Sequence, residues 1–188
     1  MALPMRYDTR YGHSSMKDEK EKRRISVRDI ALIGMMVCTM EVGKLALSIV
    51  PNVEIVSLMI ILYTVCFGKK TIYGIIVFVM IECAVWGLGL WTIMYLYIWP
   101  LLGITAYIFR KVDSKWFWSV FAAIFGLLFG PLCSLTYLVI GGPYMAFSWW
   151  IAGIPWDIIH SIANFVIMVV LYVPLVRLLR QLAVRMEQ

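Results

Sequence analysis

Residues 117–140 read FWSVFAAIFGLLFGPLCSLTYLVI, an apolar run without a charged side chain. A helix of about 20 such residues crosses the hydrocarbon core of a bilayer. Within lipid the backbone must satisfy its own hydrogen bonds, which a helix does inside one segment. The run also lacks the apolar–polar alternation of a transmembrane barrel strand. It therefore predicts a transmembrane helix and an all-α membrane protein.

Apolar runs of this kind make up most of the chain. Of its 188 residues, 62% are hydrophobic and 15% are charged, whereas soluble domains are closer to half apolar. Short polar, Gly or Pro segments separate the runs. We predict six transmembrane helices, at residues 29–50, 54–67, 71–88, 91–109, 117–140 and 152–176. The second run is short, so its helix either starts in the preceding loop or is tilted or partly re-entrant.

Positive charge is unequal at the two ends of these helices. Sixteen of the 17 Lys and Arg residues fall on one side: eight in the segment 1–28, then Lys69, Lys70, Arg110, Lys111, Lys115, Arg177, Arg180 and Arg185. The loops near Asn52, Gly89 and Gly142 carry none, and the exception, Lys44, lies inside the first span. Because Lys and Arg are enriched in cytoplasmic loops, we expect both termini in the cytoplasm.

This topology divides the chain into a polar cytoplasmic tail at 1–28, a six-helix transmembrane domain at 29–180 and a cytoplasmic tail at 181–188. We expect the first tail to be solvated or to form a short amphipathic helix on the membrane surface. The net charge of +6 follows from the topology. No basic face is interleaved with aromatic residues, so we expect membrane lipid rather than nucleic acid as a partner.

No motif in the sequence indicates a cofactor or catalysis. The four cysteines each lie in an apolar run without a CxxC pair, so we interpret them as small helix residues rather than metal ligands. The sequence carries no phosphate-binding loop and no catalytic constellation. We therefore do not expect an enzyme, and energy for uphill transport would come from a partner or an ion gradient.

Ionisable groups inside membrane spans are costly and mark functional sites. Under the predicted topology these groups fall at the midplane or in the outer half of the membrane, which indicates a cavity open to the outside. They are Glu41, Lys44, Glu82, Asp157 and His160, with the amide Asn164 beside them.

The spacing of these groups predicts which of them share a helix face. Asp157, His160 and Asn164 are three and then four residues apart and lie on one face. They form either a polar stripe that joins helices or a ligand-facing stripe. Glu41 and Lys44 are three apart, so they either pair with each other or contact a ligand.

Six tryptophans lie toward the predicted outer boundary: Trp86, Trp91, Trp99, Trp149, Trp150 and Trp156. They form an aromatic belt at the lipid headgroups, or some of them line a pocket. Trp91, Tyr95 and Trp99 are spaced four apart and make one stripe. The uncharged, aromatic stretch 141–150 is predicted as a loop, acting either as a lid that stacks on a flat ligand or as an interfacial re-entrant segment.

Small residues at helical spacing permit close helix approach. Gly126 and Gly130 form a GxxxG pair in the fifth span, and Gly34 and Cys38 form a similar pair in the first. Either pair serves internal packing or contact with a partner subunit.

Residues 28–180 resemble the substrate-binding S component of energy-coupling factor (ECF) vitamin transporters. The resemblance lies in six spans within fewer than 200 residues, a basic N-terminal segment and the stretch 153–160, GIPWDIIH. Many members carry Pro-x-Asp-x-x-Lys at that place, and His160 stands at the lysine position. The segment 51–54, PNVE, is similar to the family's first loop. The family's Ala-xxx-Ala docking pair is incomplete, since Ala31 is followed by Met35, so Gly34 and Cys38 are the candidate substitutes.

The resemblance implies a bacterial cell-membrane protein that binds a vitamin or other micronutrient from outside. A transmembrane coupling subunit and two cytoplasmic ATPases would be its partners, and toppling in the membrane would release the ligand. The pocket would lie between the last three helices and the outer loops. The candidate binding residues are Asp157, His160, Asn164, Trp156, Trp149, Trp150, Tyr95, Trp91, Glu82, Glu41, Lys44 and Asn52, and the candidate docking residues are Ala31, Gly34 and Cys38.

Two other functions remain open on the sequence. One is a stand-alone ion-coupled carrier that uses Glu41, Glu82 or Asp157 as its ion site, and the other is a membrane scaffold or sensor. For a transporter, the aromatic pocket favours a flat heterocyclic or large ring ligand of the flavin, pteridine, pyridoxine or corrinoid type. We expect Glu54, at the edge of the second span, to contribute less to binding than Asp157 or Asn164.

Overall fold

The computed structural model describes residues 25–187, with side chains through Met186. Six α-helices make up that range. They are α1 (Val27–Leu47), α2 (Val56–Phe67), α3 (Thr71–Trp86), α4 (Leu90–Phe109) and the two halves of Lys115–Glu187, α5 (115–141) and α6 (143–187). A 3-10 turn, Gly68–Lys70, joins α2 to α3. Of the predicted tail at 1–28, residues 1–24 lie outside the described residues, and Val27 and Arg28 belong to α1.

The described helices have the length and composition of a membrane protein. Four continuous helical stretches are long and apolar enough to cross a bilayer: Val27–Leu47, Val56–Trp86, Leu90–Phe109 and Lys115–Met186. Two of them are interrupted where a glycine has a positive φ, 61° at Gly68 and 76° at Gly142. The all-α class predicted from the sequence is confirmed, and its apolar helices are compatible with a membrane location.

A capping box starts α1 two residues before the predicted boundary. The Ser26 hydroxyl accepts a hydrogen bond from the Asp29 backbone N–H (3.1 Å), and the Asp29 carboxylate accepts one from the Ser26 N–H (3.0 Å). Lys70 pairs with Asp29 at 2.6 Å, and Arg28 donates to the Met186 carbonyl at 3.0 Å. These contacts tie α1 to the turn after α2 and to the end of α6.

The short second run is a buried central helix. With 12 residues, α2 is about 18 Å long, shorter than the hydrocarbon core. It packs against α1, α4 and the Lys115–Glu187 segment. Most of its side chains are buried, namely Val56, Ser57, Leu58, Ile60, Ile61, Leu62, Tyr63 and Thr64. Because protein surrounds α2, its backbone polar groups need not reach the membrane surface.

Helices α5 and α6 form an antiparallel hairpin whose contacts are symmetric about residues 142 and 143. Small residues let the two backbones approach closely. The paired positions, from the tip downward, are Tyr137 with Trp149, Gly130 with Asp157, Gly126 with His160 and Ser161, and Ala122 with Asn164. The GxxxG pair in the fifth span therefore serves internal packing.

The predicted loop at 141–150 is wrong. In the structure the chain is helical on both sides of Gly142, and residues 143–150 form the first two turns of α6. Gly142 supplies the positive φ that reverses the chain, and Pro143 is tolerated because the first turn of a helix has no intrahelical use for its N–H. A flexible lid over the cavity is therefore excluded at this position. At the other end α6 continues to Glu187, through most of the predicted tail at 181–188.

The close contact at Gly126 is expected to make Gly126→Ala destabilising. A Cβ there would lie 2.9 Å from the backbone of His160 and Ser161, and overpacking of this kind costs about 1–2 kcal/mol. Gly34→Ala is the matched control, since a Cβ at Gly34 meets nothing within 4 Å and alanine favours helix by up to about 1 kcal/mol. Thermal unfolding in detergent should show a lower Tm for Gly126→Ala alone. Equal Tm values for both variants would contradict the close packing.

Candidate substrate cavity

The candidate site residues gather at one end of the bundle. That end carries the connections 48–55 and 87–89 and the tip at Gly142. Apart from Lys44, near the end of α1, the Lys and Arg residues of 25–187 belong to the opposite end. Ion pairs link elements there, including Lys70 with Asp29 and Arg180 with Asp113 (3.0 Å).

A cavity with two adjoining lobes lies at the end that is poor in Lys and Arg. The wide lobe has a volume of about 560 Å³ and the narrow lobe about 270 Å³. Both are lined by Asn52, Trp91 and Phe129, so they meet along these side chains. A separate apolar groove of about 350 Å³, lined by Gly68 and Tyr107, lies at the opposite end and includes none of the candidate residues.

Asp157 is the charged side chain of the wide lobe. It is buried, and its Oδ1 accepts a hydrogen bond from the Gly130 backbone N–H at 3.0 Å. Its Oδ2 is buried without a hydrogen-bond partner in the structure. A Cβ at position 130 would collide with this carboxylate, so glycine is needed beside it. The carboxylate is thus held through one oxygen, and its other oxygen lies against Gly130 without a hydrogen-bond donor.

His160 lies one turn further along α6, in the narrow lobe. Its Nε2 is 3.2 Å from Oε1 of Glu54, and its Nδ1 is buried without a partner. Glu54 also accepts a hydrogen bond from the Ser57 N–H at 2.9 Å. Burial raises the pKa of Glu54, but the contacts with His160 and Ser57 outweigh burial and leave that pKa below its ordinary value. The pair therefore places an ionised carboxylate under the imidazole.

Sequence reasoning missed the role of Glu54. The segment 51–54 was noted for its resemblance to a family loop, and Glu54 was expected to contribute less to binding than Asp157 or Asn164. The connection 48–55 instead folds back over the bundle end, with Asn52 at a positive φ of 58°. This brings Glu54 and Asn52 into the cavity wall. The signal available in the sequence was the Pro51-Asn52 dipeptide, which favours a turn.

Lys44 pairs with Glu82 of α3, not with Glu41 as one interpretation of the spacing proposed. The two side chains form a close ion pair, and Glu82 is almost fully buried. The Lys44 ammonium also lies 5.7 Å from the ring centre of Trp86 and 5.4 Å from that of Tyr95. Glu41 lies outside both lobes and keeps a buried Oε1 without a partner. Thus Lys44 lines the narrow lobe, with Glu82 as its partner.

Six aromatic side chains line the two lobes: Trp91, Tyr95, Trp99, Phe129, Trp149 and Trp156. Trp149 stacks on Tyr137 (4.9 Å between ring centres) and meets Trp91 edge to face (6.4 Å). Tyr95 meets Trp99 edge to face at 5.4 Å. Among the six outer tryptophans, the four that line the lobes are Trp91, Trp99, Trp149 and Trp156. The aromatic residues therefore build a pocket in addition to any belt at the lipid boundary.

Four of the twelve predicted binding residues line neither lobe: Glu41 and Glu82, which adjoin Lys44, and Asn164 and Trp150. Asn164 is buried and donates to the Ala122 carbonyl at 3.4 Å, which joins α5 to α6. Trp150 contacts Phe147 edge to face at 6.1 Å and lines neither lobe. Asn164 therefore joins two helices, whereas the Trp150 contact is with a residue of its own helix.

The candidate docking residues share one open face of α1. Ala31, Gly34 and Cys38 are all exposed, and nothing lies within 4 Å of a Cβ placed on Gly34. Gly34 and Cys38 therefore do not take part in packing between the described helices, in contrast to Gly126 and Gly130.

Comparisons with family models, with curated proteins and with solved structures find no match to this chain. The site must be interpreted from its geometry. It defines an all-helical, membrane-type protein with an aromatic cavity that contains one fixed carboxylate and one carboxylate–imidazole pair. Such a cavity is suited to holding a small organic molecule through stacking and a few directed hydrogen bonds.

Proposed function

We propose that this chain is the substrate-binding membrane subunit of an ECF-type importer for a vitamin or related micronutrient. The observation that carries the proposal is the two-lobed aromatic cavity at the bundle end that is poor in Lys and Arg. Under the positive-inside rule that end faces outward. A high-affinity subunit that captures a scarce nutrient needs its pocket there.

The proposed topology has six membrane crossings, one for each helix, with both termini in the cytoplasm. The crowding of Lys and Arg at the far end of the described bundle supports it. The length of α2 fits as well, because a helix enclosed by others need not reach both bilayer surfaces. In this topology the cavity opens outward, and α2 and the packed aromatic residues below the cavity close it toward the cytoplasm.

In the proposed cycle the ligand enters between Trp91, Trp149 and Trp156 and stacks on their rings. Asp157 and His160 then fix its orientation through hydrogen bonds. ATP hydrolysis is assigned to partner subunits, a transmembrane coupling subunit and two cytoplasmic ATPases. The open face of α1 at Ala31 and Gly34 supports a docking surface for the coupling subunit, since small residues permit close helix approach.

One observation favours a second candidate, a stand-alone ion-coupled carrier. Glu41, Lys44 and Glu82 bring two acidic groups and one basic group together inside the bundle. Buried ionisable clusters of this kind serve as proton or cation sites in carriers. In the first proposal the same cluster is a support for the cavity wall. A third class, a scaffold or sensor, would use the polar groups only to join helices.

A transport assay separates these candidates. The ligand is first identified by mass spectrometry of the purified protein, and its uptake is then measured in cells with and without the coupling subunit and ATPases. We expect uptake only in cells that contain the coupling subunit and the ATPases. Uptake should also be lost when the ATPases carry a substitution that blocks ATP hydrolysis. Uptake that survives loss of the partners but stops with a protonophore would favour the carrier. A protein that never holds a ligand would favour the scaffold.

A further inference from the structure

We infer that the ligand is a planar nitrogen heterocycle with a positive charge, and that its charged ring lies in the wide lobe against Asp157. This inference rests on the proposed function, because it names the class of molecule that the same cavity would take. It is carried by three features of the cavity: the charge of the wide lobe, the arrangement of its rings and the unused polar atoms of the narrow lobe.

The wide lobe combines one carboxylate with several aromatic rings. Asp157 is the charged residue among the side chains that line this lobe in the described structure. The carboxylate is buried and its Oδ2 has no hydrogen-bond partner, and a buried carboxylate with few partners is stabilised by a nearby positive charge. Phe129, Trp149 and Trp156 line the same space, and aromatic faces attract cations. An acid inside an aromatic enclosure is therefore complementary to an organic cation.

The rings also set the shape of that cation. Trp149 is held on one side by its parallel stack with Tyr137, and it meets Trp91 edge to face. A flat ring can stack on aromatic side chains arranged in this way, and its edge can then face Asp157. A tetrahedral ammonium would use the attraction of the rings but would leave their flat area unfilled.

The narrow lobe orients the molecule and disfavours an anion. Lys44, the Lys or Arg residue that lines this lobe, is paired with Glu82, and His160 is in contact with the Glu54 carboxylate. Two buried polar atoms of the residues that line it have no hydrogen-bond partner, Nδ1 of His160 and Nε1 of Trp99. A hydroxyl group is a suitable partner for either atom. The narrow lobe therefore fits an uncharged polar substituent, and the positive ring occupies the wide lobe.

A charge series on one ring tests this inference. The probes are 1-methylnicotinamide, nicotinamide and nicotinate, which share a pyridine ring and carry a positive, neutral and negative charge. Each is titrated into the purified, ligand-free protein while tryptophan fluorescence is recorded. We expect the cation to bind about tenfold more tightly than the neutral amide, and the anion to bind least.

Two variants test whether the preference for the cationic probe depends on Asp157. Asp157→Asn removes the charge but keeps an oxygen for the Gly130 N–H, and it should reduce the cation preference to about twofold or less. Asp113→Asn removes a carboxylate that is exposed at the opposite end of the bundle, and it should change nothing. If Asp157→Asn does not fold, the charge series on the unmodified protein decides alone.

The inference is overturned by a neutral or anionic probe that binds as tightly as the cation, or by a lack of binding of all three probes. A cation preference that persists in Asp157→Asn would also overturn it. If the co-purified ligand is an anion and its uptake depends on the ATPases, this inference is wrong and the proposed function is supported. If the protein binds the cation but uptake does not depend on the ATPases, the proposed function is wrong and this inference is supported.

Discussion

Lys44→Met is expected to lower the free energy of unfolding by about 3 kcal/mol, because it leaves a buried carboxylate without its partner. Glu82 is almost fully buried and is held by the Lys44 ammonium in a close ion pair. Methionine keeps most of the length and apolar area of the lysine stem, so the loss reports the charge rather than the packing. In a chain of this size the change corresponds to a fall in Tm of about 6–12 °C. Thermal unfolding in detergent measures it.

The double variant Lys44→Met/Glu82→Gln is the control. It removes both charges, and replacing a buried ion pair by neutral groups of similar size is often nearly neutral. We therefore expect the double variant to recover most of the stability lost in Lys44→Met. A double variant as unstable as the single one would show that Lys44 acts through its contacts with Trp86 and Tyr95 instead.

His160→Ala is expected to weaken binding of the co-purified ligand about 100-fold while leaving membrane insertion unchanged. The substitution removes an imidazole from the wall of the narrow lobe, and it leaves the Glu54 carboxylate without its partner at 3.2 Å. Isothermal titration on the purified protein gives the ratio of Kd values. An unchanged Kd in the variant would show that His160 is not part of the binding site.

Asn164→Ala provides the matched comparison for His160→Ala. Both residues lie on one face of α6 and are buried to the same degree, but Asn164 bonds the Ala122 carbonyl instead of facing the cavity. The variant should cost about 1 kcal/mol of stability and change ligand affinity by less than about threefold. This reverses the importance that the sequence alone assigned to Asn164. An affinity loss equal to that of His160→Ala would mean that the site extends down the hairpin.

Hydrophobic run length was enough to locate most of the helices. The predicted segments 71–88 and 91–109 correspond to Thr71–Trp86 and Leu90–Phe109 in the structure. The agreement is close because an uninterrupted apolar segment has few alternatives to a helix, while glycine and charge mark its ends. The prediction of a loop at 141–150 was wrong because Gly-Gly-Pro favours a loop as readily as a chain reversal through one residue. Only the backbone angle at Gly142 distinguishes the two.

The candidate site was predictable where it depended on spacing along one helix. The separation of Asp157 and His160 places both on the inner face of α6, and both line the cavity. Partners from other elements were not predictable. Lys44 and Glu82 are 38 residues apart, and Glu54 and His160 are 106 apart. Such pairs depend on how helices and connections assemble, and a single sequence carries no direct signal for that.

The tip between α5 and α6 has a consequence for insertions and deletions. One residue joins the two helices, and the facing positions are matched from Trp149 to Asn164. Adding a residue just after Pro143 would turn every later side chain by about 100° around the helix axis. Asp157 would then leave Gly130, and His160 would leave the narrow lobe. A chain of this architecture therefore tolerates a change of length at its hairpin tip poorly, and homologous proteins with the same pocket should keep that spacing constant.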